Sequence, residues 1–217
     1  MGVIDSGRCD SARALLLCLR MAEETTTRRG ALAVLFAGAA GLAGKLAGAP
    51  DAAAMPAIRP PGAVPEAEFL SKCIRCYQCG DVCPNGTLQF RGFERGIVEL
   101  GTPYVVPRER GCIACMKCTQ VCPTGALRPQ DPDPDVVPGT TRMGLARLNK
   151  GMCYSYAEPA RTCGVCYRAC PFPGVAMSIG LFERPTVHAD KCVGCGLCEQ
   201  ACIHVPQAIR ILPVART

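Results

Sequence analysis

From Ala31 to Gly44 the chain runs through a weakly apolar stretch of Ala, Leu and Gly, followed by Lys45 and small residues through Ala54. That stretch is too short and too rich in glycine to span a bilayer comfortably. From Pro50 to Pro65 five prolines recur among Ala and Gly, "PDAAAMPAIRPPGAVP", a composition that predicts an extended, semi-rigid tether. A second break, "PQDPDPDVVPG" from 129 to 139, disfavours helix and sheet alike and reads as a module boundary. Around these breaks apolar residues recur at fixed places. Leu88 and Leu127 each fall five residues after a cysteine ("CPNGTL", "CPTGAL"), whereas Met177 and Ile209 each fall seven after one ("CPFPGVAM", "CIHVPQAI"). Each half therefore repeats one turn length that the other half lacks. The pattern predicts two tandem modules, each pairing its own two cysteine motifs in sequence rather than nesting the first with the last. Elements inside a module should be small: short strands such as "PTVHAD" before a motif loop, and one helical turn after it.

Composition sharpens this picture. The chain has 217 residues, eighteen of them cysteine, with no tryptophan, six Phe and five Tyr. Cysteine at about 8% is far above ordinary globular usage, and so few large side chains cannot build an aromatic core. Something covalent or metallic must hold the fold. Disulfides, zinc sites and iron–sulfur centres each call for such an excess of cysteine. Sixteen of the eighteen cysteines lie in four groups between Cys73 and Cys202, while Cys9 and Cys18 stand apart near the start. Disulfides need partners spread across loops; thiols two residues apart aim several sulfurs at one centre.

Three groups share one spacing, C-x2-C-x2-C-x3-C: Cys73, Cys76, Cys79 and Cys83; Cys112, Cys115, Cys118 and Cys122; Cys192, Cys195, Cys198 and Cys202. In this run the first three thiolates wrap one 4Fe–4S cube, and the fourth, expected at the start of a helical turn, faces away to ligate the neighbouring cube. Zinc sites take separated C-x-x-C pairs and leave a third thiolate two residues on without a role. One such run is a strong signal; three in register leave little room for chance.

The remaining group, "RTCGVCYRACP", holds Cys163, Cys166 and Cys170, with Ala160 where a first cysteine belongs. Cys153 is the one other cysteine of this half and precedes Cys163 by ten positions. A loop extension of that size costs little closure entropy, and Glu158 with Pro159 reads as a turn. Cysteine arithmetic favours Cys153 as the displaced first ligand, giving sixteen thiolates for four cubes; a three-ligand centre beside a free thiol is the alternative. The cross-over rule then gives Cys73, Cys76, Cys79 and Cys122 for the first cube. The second takes Cys112, Cys115, Cys118 and Cys83, the third Cys153, Cys163, Cys166 and Cys202, and the fourth Cys192, Cys195, Cys198 and Cys170.

Other features change less. Gly194 and Gly196 either bring backbone N–H groups close to sulfur, tuning potential, or are plain turn glycines. Tyr77, Tyr154, Tyr156 and Tyr167 flank cysteines and are expected to shield the cubes. His188 and His204 read as surface residues rather than ligands. No dinucleotide fingerprint, P-loop or nucleophile–base arrangement is visible, so no catalytic residue is expected. The formal charge is +6. From Met55 onward eighteen Lys/Arg against thirteen Asp/Glu leave +5, and four oxidised cubes with their thiolates at about −2 each would bring the loaded protein near −3. Net charge therefore gives no ground for nucleic-acid binding.

The N-terminal region completes the organisation. Residues 1–20 carry no recognisable signal, and Met21 is the expected start. "TRR" at Thr27, Arg28 and Arg29 before the apolar stretch resembles a twin-arginine export signal. Together with "RPPGAVPEAEFLSKCIRCYQCGDVCP", "GTPYVV", "TRMGLA" and "CGVCYRACP", it makes the chain from about Arg28 to the C-terminus resemble the NapG/MauM family of ferredoxin-type proteins. Group two, "CIACMKC", keeps the plain spacing, and with "CVGCGLCEQACIHVPQAIRI" this makes the resemblance closer to the MauM branch, associated with methylamine utilisation. The expected fold class is α+β, small and loop-rich, with two tandem bacterial-type 2[4Fe–4S] ferredoxin-like modules. The expected order is a leader over 1–54, a tether over 55–70, a first module over 71–128, a linker over 129–139 and a second module over 140–217. The resemblance implies a periplasmic carrier of four [4Fe–4S] clusters, exported by the twin-arginine translocase. It would be attached to the cytoplasmic membrane through an uncleaved leader or a membrane-bound ferredoxin-type partner, and would work with a periplasmic redox enzyme. A maturation factor that moves electrons while a dehydrogenase cofactor is built is the other functional class, with the same clusters. A carrier is needed during turnover, a maturation factor only beforehand.

Overall fold

The computed structural model describes residues 56–158 and 161–214. The twin-arginine segment, Met21, Cys9 and Cys18 lie outside them. Among the described residues the elements are three- to seven-residue pieces strung between turns, as expected where metal rather than a large core supplies much of the fold. Among the described residues no helix is long and apolar enough to cross a membrane.

The first half opens with an extended segment and helix α1 (Glu66–Lys72). It continues with a helical turn α2 (Gln78–Asp81), strands β1 (Leu88–Phe90) and β2 (Pro103–Val105), and a second turn α3 (Lys117–Gln120). β1 and β2 pair antiparallel, Leu88 against Val105 and Phe90 against Pro103. The second half repeats the plan. A turn α4 (Val137–Thr140) leads into β3 (Gly144–Leu148), then α5 (Tyr154–Ala157) and α6 (Val165–Arg168). The hairpin β4 (Met177–Ile179)–β5 (Pro185–Val187), turn α7 (Leu197–Gln200) and β6 (Ile209–Pro213) follow. β4 pairs with β5, and β6 returns to pair antiparallel with β3, Leu148 against Ile209. The four apolar residues that follow the motifs do equivalent work. Leu88, Met177 and Ile209 each begin a strand, and Leu127 bridges to Ala63.

That last bridge corrects the expected tether. In the first half, the segment from Ala57 to Val64 stands where β3 stands in the second. Ala63 bridges Leu127, the Val64 amide donates to the Ala126 carbonyl at 3.1 Å, and the Arg128 amide donates to the Gly62 carbonyl at 2.8 Å. Ala57, Ile58, Arg59 and Val64 are buried. Proline predicts extension correctly, but an extended edge segment can also pack. Arg59 fixes it. Its buried guanidinium binds the Glu66 carboxylate, donates to Thr102 Oγ1 and the Pro103 carbonyl at 2.9 Å each, and lies 4.8 Å from the Phe69 ring centroid.

The linker needs a similar revision. Val137–Thr140 forms a helical turn with Val137 and Pro138 buried. Proline at the start of a helix loses no bond, since that N–H has no intrahelical partner. The halves are not separate bodies. Ile58, Val105, Ala114 and Met116 from the first join Val137, Met143, Phe172, Met177, Val193, Ile209 and Ile211 from the second in one apolar core.

Candidate metal centre

Each cysteine motif is shaped by left-handed backbone. The residue after the second motif cysteine has positive φ in every group: Tyr77 (62°), Met116 (56°), Gly164 (52°) and Gly196 (91°). It caps a four-residue helical turn that holds the third cysteine: Cys79 in α2, Cys118 in α3, Cys166 in α6 and Cys198 in α7. The fourth cysteine follows the turn, rather than starting it as the sequence suggested. The same register makes Cys163 a second-position cysteine, aligned by geometry with Cys76, Cys115 and Cys195.

A second left-handed residue precedes that cysteine in three groups, at Arg75 (59°), Ala114 (57°) and Gly194 (75°). Thr162 is not among the positive-φ residues, so the third group lacks the tight loop that carries Cys73, Cys112 and Cys192. Its counterpart is a detour through α5, with Cys153 as N-cap. Non-glycine residues in this region are strained, and tertiary bonds hold them. Arg75 donates from Nε to the Leu100 carbonyl at 2.7 Å and from Nη2 to the Val98 carbonyl at 2.8 Å.

Helical turns α2 and α3 pack on each other, as do α6 and α7, and thiols of paired motifs gather beside them. One cavity is lined by Cys73, Cys76, Cys79 and Cys122 with Phe69, Tyr77, Phe90 and Leu127. Another is lined by Cys153, Cys163, Cys166 and Cys202 with Leu148, Tyr154, His204 and Ile209. Neighbouring thiols also act on one another. Burial pushes the Cys79 thiol up to about 12, with Cys73, Cys76 and Cys122 adding to it against a bond from the Gly80 amide. Burial, then Cys153, Cys163 and Cys202, push Cys166 up to about 11. Cys118 is raised by burial and by Cys112, Cys115 and Cys83, with Cys79 also near. Cys198 is raised by burial and by Cys195, Cys192 and Cys170, with Cys166 also near.

Each of the two cavities thus holds three cysteines of one group and the fourth of its partner group in the same half. Thiols raised as Cys79 and Cys166 are stay protonated when bare; a positive core would make thiolates stable there, with proton release on binding. Backbone N–H groups are aimed at sulfur as well. The Ala114 amide donates to Cys112 Sγ at 3.3 Å, and the Thr87 and Leu127 amides donate to Cys83 and Cys122 Sγ at 3.4 Å. At Cys122 burial acts upward, but the Leu127, Thr124 and Ala126 donors outweigh it and the thiol is lowered. All sixteen described cysteines are free. Among the described residues no three His, Cys, Asp or Glu side chains converge closely enough for one metal ion. The donor chemistry, apolar walls and N–H···S bonds fit sulfur-rich clusters held by thiolate.

The flanking residues divide. Tyr77 and Tyr154 line the cavities, whereas Tyr156 donates to the Pro185 carbonyl at 3.2 Å and Tyr167 packs into the shared core. His188 pairs with Ser178 Oγ at 3.0 Å, and His204 lines the cavity that holds Cys153. A Cβ on Gly194 would lie 2.3 Å from the Gly144 backbone. These glycines therefore serve close backbone packing. Sequence reasoning missed Arg59, Ser155 and the contact between Gly111 and Gly196.

The site and fold define a protein of the ferredoxin type, built from 4Fe–4S binding domains. A 4Fe–4S dicluster domain matches residues 72–126, and 4Fe–4S binding domains match 157–173 and 185–204. The chain is 39% identical over 166 residues to the methylamine utilization ferredoxin-type protein MauM of Methylorubrum extorquens, covering 72% of this chain and 73% of that one. It is likewise 39% identical over 165 residues to MauM of Paracoccus denitrificans, covering 72% and 71%. Against the ferredoxin-type protein NapG of Escherichia coli it is 36% identical over 180 residues, covering 73% and 71%. The chain belongs to the MauM/NapG family of ferredoxin-type proteins, and it is an iron–sulfur electron carrier rather than an enzyme.

Proposed function

We propose that the chain carries four [4Fe–4S] clusters and relays single electrons between a membrane quinol-linked ferredoxin-type partner and a periplasmic redox enzyme. The observation that supports this reading is that Cys73, Cys76, Cys79 and Cys122 line one cavity and Cys153, Cys163, Cys166 and Cys202 another, each set crossing between the two motifs of one half. The proposed ligands are Cys73, Cys76, Cys79 and Cys122; Cys112, Cys115, Cys118 and Cys83; Cys153, Cys163, Cys166 and Cys202; and Cys192, Cys195, Cys198 and Cys170. A cubane core held by four thiolates exchanges one electron at a time without bond chemistry. The protein's part is to hold the thiolates, exclude water with Phe69, Leu127, Leu148 and Ile209, and aim N–H groups at sulfur, which raises potential.

Export by the twin-arginine route is part of the proposal, as is a periplasmic working place. A bacterial periplasm is kept oxidising, so thiols delivered unfolded would scramble; a route for folded protein lets clusters be inserted first. The MauM relatives are named for methylamine utilization, and we place the enzyme partner in that chemistry. The test is a steady-state assay of the periplasmic enzyme in cells lacking the chain, with loaded protein supplied only after the enzyme has matured. Restored turnover supports a carrier. Turnover that is normal without the chain, once the enzyme has matured, contradicts it and favours a maturation role.

A further inference from the structure

The two halves meet through their cluster loops. The Cys112 amide donates to the Cys195 carbonyl at 2.7 Å, and the Gly111 amide donates to Gln200 Oε1 at 2.8 Å. Gln200 Nε2 returns a bond to the Glu109 carbonyl at 3.2 Å. Arg108 reaches across from Nη1 to the carbonyls of Glu199, Gln200 and Cys202 at 3.0–3.2 Å. A Cβ on Gly111 would lie 2.7 Å from the Leu197 nitrogen, and one on Gly196 would lie 2.6 Å from Pro107 Cβ. No side chain fits between these backbones.

We propose that this backbone junction fixes the second and fourth cysteine sets as neighbours, so that the four sets form one series in the order first, second, fourth, third. Gly111, Arg108 and Gln200 are its positioning residues. The remaining steps of the series follow from packing already described: turn α2, which carries Cys79 of the first set, packs on α3, which carries Cys118 of the second, and α6, which carries Cys166 of the third, packs on α7, which carries Cys198 of the fourth.

The order differs from the order of the motifs along the chain, and it assigns the ends. The first and third sets are terminal, and their cavities reach exposed apolar side chains, Ile74 and Tyr77 at one and Ile203 at the other. One redox partner is served at each. With clusters bound, transfer across the junction would be a one-electron exchange: one centre would be oxidised as the other is reduced, and no bond would form or break. The electron is supplied by the quinol-linked partner and withdrawn by the redox enzyme, or the reverse. The inference rests on the cluster-carrying function proposed above.

The test uses the full chain, loaded anaerobically and reduced with dithionite, and reads spin–spin coupling by electron paramagnetic resonance. Metal analysis comes first. A chain without its full iron fails the proposed function, whatever the junction does. With full iron, Gly111→Val wedges the loops apart and Arg108→Ala/Gln200→Ala removes their ties, while the shared core still joins the halves. Both variants are expected to keep wild-type iron and sulfide and to lose the coupling features that link the halves, leaving the spectrum of two independent pairs. A fully loaded wedge variant with an unchanged coupled spectrum overturns the proposal. Iron loss from all four sets in both variants also overturns it, because the contact would then be a folding element and not a spacing one.

Discussion

The Cys163 amide donates to Ser155 Oγ at 3.1 Å. Ser155 is fully buried, two residues beyond Cys153, and its own carbonyl accepts from Arg184 Nε at 3.0 Å. This bond closes the detour between Cys153 and Cys163, and it explains how a motif without its first cysteine still gathers four thiols. The tight left-handed loop of the other groups is replaced by a helical turn with a serine latch.

Replacing Cys153 by Ser should therefore damage the third set alone. That centre is expected to fall to a three-iron form, losing about one iron per chain, or to be lost, while the others persist. Cys9→Ser and Cys18→Ser should leave iron content unchanged. Electron paramagnetic resonance with iron analysis on each variant decides. Four intact four-iron centres in Cys153→Ser would remove Cys153 from the ligand set.

Ser155→Ala tests the latch without touching a thiol. It leaves the Cys163 amide without its acceptor in a partly buried place, a loss of about 1–3 kcal/mol. The expected outcome is full loading under strict anaerobiosis, with one of four centres lost markedly faster on exposure to air. Iron release that remains uniform across the centres would show that the latch does not hold the third set.

Arg59 supports the first module in the same spirit. Its side chain is 0% exposed against 40% for Glu66. Arg59→Ala would remove the donor to the Pro103 carbonyl and to Thr102 Oγ1, whose hydroxyl keeps its own bond to the Glu99 carbonyl, while Glu66 can turn to water. A destabilisation of about 2–4 kcal/mol is expected, and Arg59→Lys should rescue little of it because a single ammonium cannot replace the fork. Anaerobic thermal unfolding measures this; an unchanged midpoint in both variants contradicts it.

How much of this was legible in the sequence follows from what local spacing encodes. The cysteine spacings and the recurrence of Leu88, Leu127, Met177 and Ile209 are local, so the motif loops and the strands after them were readable. Spacing alone reads Cys163 as a second-position cysteine. Prolines at 56, 60 and 61 announce an extended chain but not whether it packs, and Arg59 looks like any surface arginine until Thr102 and Glu66 surround it. The third cysteine, and not the fourth, rides the helical turn because the left-handed residue before it starts the helix, a dihedral no spacing displays. Gly111 and Gly196 each look like turn residues; that they need one another is a long-range fact.

Export is tested by Arg28→Lys with Arg29→Lys. The double variant is expected to leave loaded protein in the cytoplasm, read by fractionation and iron content. Unchanged periplasmic delivery contradicts the twin-arginine route.

Under the proposed function, sixteen cysteines hold four cubes and nothing else. The most direct measurement is metal and acid-labile sulfide per anaerobically purified full chain. Four cubes require about sixteen iron and about sixteen sulfide with little zinc, and chelation or oxidative loss of the iron should unfold the protein. A stably folded, iron-free chain replete in zinc would contradict it.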